Sequence, residues 1–201
     1  ARPAHPVLIA CVRVALAALL LSAFDLPGLL SAVRSLSRVQ RARVGLAGVL
    51  LGAHFALFQW GLDQTSLPAA VSLVSLEPLS VVVCAWIFFG IAPKRLERVG
   101  VLVATAGAVI IGQGAGEGEH RLTGDLLVLG AVVLFGLYVA SARALRDVIE
   151  ARHYVPLVYT AAAITLVVTL PFVPTSANAT FWPLGAGTLA ALCALALIPT
   201  A

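Results

Sequence analysis

The stretch from Leu67 to Gly90, LPAAVSLVSLEPLSVVVCAWIFFG, constrains the whole chain because it holds a glutamate inside an apolar run long enough to cross a bilayer. At a rise of about 1.5 Å per residue, a hydrocarbon core of about 30 Å takes about 20 residues of helix. A carboxylate near the middle of such a span costs roughly 2.5 to 3.5 kcal/mol, and each Leu, Ile or Val offsets about 0.3 to 0.6. The run can therefore insert, but Glu77 needs a role. Pro78 follows at once, so a backbone donor is lost and the helix disturbed where the charge sits.

Six further apolar runs share this character. They are 6–24, 44–62, 99–111, 126–142, 154–173 and 181–198. The chain is 61% hydrophobic and 11% charged, against about 45–50% apolar and 25% charged in soluble domains. The runs are continuous, whereas a membrane barrel would alternate in segments of about ten residues. The expected fold is an all-α integral membrane protein, a polytopic bundle of seven transmembrane helices.

Charges between the spans orient the bundle. Arg34, Arg38, Arg41 and Arg43 follow the first span, Lys94, Arg95 and Arg98 the third, and Arg143, Arg146 and Arg152 the fifth. The alternate connections carry Asp63, then Glu117, Glu119 and Asp125 with Arg121, then the neutral 174–180. By the positive-inside rule, loops 25–43, 92–98 and 143–153 are cytoplasmic in a multi-pass protein of the cell (plasma or inner) membrane. The net charge of +4 is thus a topology signal, not a nucleic-acid surface. The first span then starts outside, which asks for one more helix ahead of it. With no Met anywhere and a last residue inside an apolar run, the chain is expected to be a fragment. A signal peptide over residues 1–24 is the competing reading, and Arg13 in its middle argues against it.

Arg13, His54 and Glu77 lie on three successive spans, all within roughly 12 to 17 Å of the outer boundary at 1.5 Å per residue. The expectation is that they face a central cavity, where Glu77 pairs with Arg13 or His54 and changes partner when substrate or a proton arrives. Ala70, Glu77, Ser80 and Cys84 form the polar side of their helix, with Gln59 nearer the outside and Tyr138 a further cavity candidate. Each residue has a plainer reading: Glu77 as a buried buttress, Arg13 snorkelling or bound to carbonyls, His54 as a satisfied core histidine. Trp60, Trp86 and Trp182 suit an aromatic belt. Gly100, Ala104, Ala108 and Gly112 recur every four residues, and Gly48, Gly52 and Ala56 repeat the pattern, as expected of close helix packing.

Other function classes find little support. There is no G-x-S-x-G and no H-E-x-x-H, His54 and Glu77 alone cannot hold a metal, and Cys11, Cys84 and Cys193 lack paired spacing. No cofactor, metal or nucleic acid is expected. A structural or assembly membrane protein with a saturated polar core and no transport, or a non-functional truncated fragment, stays as the alternative.

Several of these features occur together in a known arrangement. The turn at Thr65 and Ser66, the LEP of Leu76, Glu77 and Pro78, the helix from Gly100 to Gly112, Arg13 with Ala17, and Gly124–Asp125 before LLVLGAVVLFGLYVASARAL resemble the EamA-type repeat of the drug/metabolite transporter superfamily. The chain departs from it where the family often has GE, since Gly90 is followed by Ile91, Ala92 and Pro93. The resemblance implies ten helices in two inverted five-helix repeats. On that plan 1–112 is the first repeat (helices two to five), 113–122 an external linker and 123–201 a truncated second repeat (helices six to eight). It also implies alternating-access transport, most simply export of a small metabolite, amino acid or drug-like compound. The partners are then a small-molecule substrate and the lipid bilayer, with protons as candidate coupling ion and a homodimer as candidate assembly.

Overall fold

The computed structural model describes residues 6–114 and 122–173, and among them there is helix and turn but no strand. The expected seventh span, 181–198, and linker residues 115–121 lie outside the described residues. The helices are α1 (Pro6–Phe24), α2 (Leu26–Ser35), α3 (Arg38–Leu62), α4 (Leu67–Val74), α5 (Glu77–Phe89), α6 (Arg95–Gly114), α7 (Leu122–Leu145) and α8 (Ala151–Thr169), the last running into a 3₁₀ turn at Leu170–Phe172. Among the described residues five stretches are long and apolar enough to cross a membrane: Val7–Phe24, Arg38–Leu62, Leu67–Phe89, Leu122–Leu145 and Ala151–Phe172. The expected span 99–111 lies inside α6, whose first turn carries Arg95, Glu97 and Arg98.

The basic segment 25–43 is more ordered than its charge pattern suggests. Asp25 caps α2, its Oδ1 accepting from the Gly28 N–H at 2.9 Å, and Pro27 fits the first turn, where its missing donor costs nothing. Ser37 and Gln40 then form a reciprocal capping box: the Ser37 N–H donates to Gln40 Oε1 at 2.8 Å and the Gln40 N–H to Ser37 Oγ at 3.2 Å. α3 therefore begins at Arg38 rather than Val44, and Arg38, Arg41 and Arg43 ride on its first turns.

Two compact units emerge, one from residues 1–56 and 146–201 and one from 57–145. In the first, α1 packs along α8, with Val7, Val158 and Leu166 almost completely buried. Gly48 and Gly52 let α3 approach the same helix. A Cβ at Gly48 would run into Ala161 Cβ and the Val158 carbonyl, and one at Gly52 would lie 2.6 Å from Thr165 Cβ and 2.7 Å from the Ala162 carbonyl. These are small-residue contacts of the kind membrane helices use in place of hydrophobic burial.

In the second unit α5 packs against α7 around Cys84, Ala85 and Ala140, flanked by Leu137 and Ile91. Gly136 makes the approach possible, since a Cβ there would meet the Ser80 hydroxyl and backbone. Gly90 ends α5 at φ 66°, a left-handed conformation that favours glycine. Apolar side chains such as Phe24, Leu102 and Phe172 are 87%, 70% and 75% exposed, a surface that suits lipid rather than water.

Candidate functional site

The third apolar run is broken in the middle. α4 stops at Val74, and α5 starts at Glu77, with Pro78 in its first turn. Pro78 has no N–H to give the Val74 carbonyl, and its ring crowds that oxygen. The backbone tightens just before the ring: the Leu76 N–H donates to Leu73 at 3.0 Å, three residues back, and regular spacing returns with Ser80 to Leu76 at 3.0 Å. Glu77 thereby becomes the first residue of a half-helix inside a membrane span.

Glu77 lines an open groove of about 470 Å³ in the second unit. α5 contributes Pro78, Val81 and Val82 beside it, α6 contributes Glu97, Gly100 and Val101, and α7 contributes Phe135, Val139 and Arg143. Phe135, Val139 and Arg143 follow one another at four-residue spacing, so one stripe of α7 runs along the groove. The walls are apolar apart from Glu77 and one ion pair, in which Arg143 Nη1 donates to Glu97 Oε1 at 3.3 Å. The Lys94 N–H also donates to Glu97 Oε2, at 3.0 Å. That backbone bond, joined by the charges of Arg143 and Lys94, holds the Glu97 carboxyl below the usual glutamate range. Glu77 is half-buried, and its carboxyl makes no hydrogen bond or ion pair among the described residues.

The other expected site residues have their own surroundings. Arg13 and His54 belong to the first unit. Arg13 Cζ stands 5.6 Å from the centroid of the Phe55 ring, a cation–π contact. His54 is buried, its ring 5.1 Å from that of Phe55. Ser80 packs at Gly136, with its Oγ 3.9 Å from Cys84 Sγ. Tyr138 stacks edge-on with Phe135 at 6.0 Å, and Gln59 is half-buried on α3. None of these five lines the Glu77 groove. Gly100, expected in a packing stripe, opens onto the groove, since a Cβ there would meet nothing within 4 Å. Ala104 is half-buried, and the packing of Ala108 and Gly112 falls outside the described side chains.

Glu97 and Arg143 are the charged groove residues that sequence reading passed over as site candidates. Arg143 reads as a topology charge, and Glu97 is the lone acid among Lys94, Arg95 and Arg98. An acid in an otherwise basic loop is the signal that could have drawn attention to it. A second polar joint links two separated motifs: Thr65 Oγ1 donates to Asp125 Oδ1, and Thr123 Oγ1 to Gln64 Oε1 at 3.2 Å. Gly124 makes room, since a Cβ there would lie 2.6 Å from the Gln64 carbonyl oxygen.

Apolar helices of spanning length, one of them broken at an acid that lines a groove, define a multi-pass helical membrane protein. The EamA-like transporter family model matches residues 1–113, more than half of the chain. The protein belongs to that family, membrane transporters of the drug/metabolite transporter type and not enzymes. No solved structure matches the chain.

Proposed function

We propose that this protein exports a small metabolite, amino acid or drug-like compound across the cell membrane by alternating access, with seven of its spans drawn from a ten-helix fold of two inverted five-helix repeats. The observation that carries this reading is Glu77, which stands at the break of a membrane span, on a groove of about 470 Å³, with no fixed partner among the described residues. A buttress would hold a hydrogen bond, whereas a carboxylate without one is available to a substrate amine or a proton. The Pro78 break gives α5 a point about which to flex. With the basic loops cytoplasmic, the Glu97–Arg143 pair marks the inner end of the groove.

The test is export of a panel of amino acids and drug-like dyes from cells carrying the protein, followed by flux of each hit in vesicles. Glu77→Gln is expected to abolish flux or its pH dependence while leaving membrane insertion intact. Unchanged flux and pH profile would overturn the reading.

A further inference from the structure

A second cavity, of about 210 Å³, lies in the first unit. It is lined by Val33, Leu36, Arg41, Val44, Gly45 and Leu157, so Arg41 is the one charged residue among walls that are otherwise apolar. The Cβ position of Gly45 is open, with nothing within 4 Å.

Charge around this groove is one-sided. From Leu26 to Leu62 the chain holds Arg34, Arg38, Arg41 and Arg43 and not one Asp or Glu. The acids described in this unit are engaged elsewhere: Asp25 with His153 at 2.9 Å, Asp147 with Arg146 at 3.4 Å and Glu150 with Arg152 at 2.7 Å. Among the described residues none of the four arginines forms an ion pair. The groove also sits where the span Arg38–Leu62 begins, the depth at which a headgroup gives way to its acyl chain. α2 presents Leu26 and Leu30, 51% and 49% exposed, at the same end of the unit. An apolar slot with an arginine in its lining that forms no ion pair among the described residues matches a lipid with a phosphate on one side and a chain on the other.

We propose that this groove binds one anionic phospholipid, its phosphate on Arg41 and the start of an acyl chain along Val44, Gly45 and Leu157. Arg34, Arg38 and Arg43 add attraction for a net-negative headgroup over a zwitterionic one. The site is separate from the Glu77 groove and does not depend on what that groove transports.

Native mass spectrometry of the detergent-purified protein with phosphatidylglycerol or phosphatidylcholine tests the site. Retained phosphatidylglycerol is expected to exceed phosphatidylcholine. Arg41→Gln should weaken phosphatidylglycerol retention about fivefold, the loss of one surface cation, whereas Arg98→Gln, outside this unit, should not. Gly45→Leu fills the slot without touching charge and should displace the lipid, and it decides the matter if Arg41→Gln does not fold. Equal retention of the two lipids, or full retention in Gly45→Leu, overturns the proposal. So does competition by inorganic phosphate alone, which would mean an anion site, or a dimer lost on Gly45→Leu without any lipid adduct, which would mean a second copy in the slot.

Discussion

Thr65 gives its hydroxyl hydrogen to the carboxylate of Asp125, sixty residues on in the sequence. The bond clamps the turn after α3 to the first turn of α7, where the helix dipole also favours the acid. Thr65→Val removes the donor and is expected to cost about 1.5 to 3 kcal/mol, the range for a bond to a charged group. Thr65→Ser should keep most of the stability. Thermal unfolding in detergent reads both, and equal midpoints for Val and Ser would argue against the clamp.

Glycines in one bundle should respond oppositely to the same change. Gly48→Ala forces a methyl into Ala161 and the Val158 carbonyl, and overpacking of that kind costs about 1 to 3 kcal/mol. Gly100→Ala meets open space and gains up to about 1 kcal/mol of helix propensity. Unfolding midpoints should move down for the first and up for the second. A loss at Gly100 as large as at Gly48 would contradict the geometry.

The bond from Asp25 Oδ2 to His153 Nε2, 2.9 Å long, gives the first unit a pH-dependent tie. That bond, followed by the Gly28 N–H, lowers the Asp25 pKa. The folded protein therefore binds this proton more weakly than the unfolded chain does. The contribution is complete above the ordinary aspartate value of about 3.9 and disappears as pH falls through it into the lowered range. Unfolding of the wild type and Asp25→Asn should differ near neutral pH and converge in acid. A gap that is constant with pH would rule out the charge as its source.

If Glu97 and Arg143 hold the inner end of the Glu77 groove, separating them alters flux. Glu97→Gln and Arg143→Gln are each expected to change transport several-fold in vesicles, and the exchange of Glu97→Arg with Arg143→Glu should recover part of it. Single variants that transport like the wild type would remove the pair from the mechanism.

Pro78→Ala returns an N–H to the broken span and lets it bond the Val74 carbonyl, as in an uninterrupted helix. The variant is expected to unfold at higher temperature and to transport more slowly, with insertion unchanged. Faster transport would mean that the break is not used in the cycle.

Helix content and membrane character were legible because they depend on long uninterrupted apolar runs, which tolerate error in any one residue. Glu77 was legible for the same reason, as an exception within a run. The break itself was half visible: Pro78 announced a disturbance, and the structure separates two helices there. The surroundings of single polar residues depend on which helix faces which, and that is not written locally. Ser80 shares a helical face with Glu77, yet its hydroxyl meets Gly136 because α7 packs on that side. Glu97 and Arg143 are 46 residues apart, and each alone reads as an ordinary loop charge. Asp25 and His153, 128 residues apart, carry no motif that would join them. The second helix of the chain was hidden by Arg34 and the three arginines that follow on α3, which dominate a reading based on topology, although Asp25 and Pro27 spell out its start and the Ser37–Gln40 box the start of the helix after it.

The first unit draws its helices from both sides of the second, which is one unbroken segment, 57–145. Synthesis therefore orders assembly. α1 leaves the ribosome long before α8, the helix it packs along, has been made. At translation rates of about 5 to 20 residues per second, the intervening segment takes on the order of ten seconds. During that interval α1 and the Gly48–Gly52 face of α3 are without the helix they pack against, while the middle of the chain can already close on itself. Biogenesis of this protein thus includes a waiting period, which ends only when Val158 and Ala161 arrive to meet Gly48.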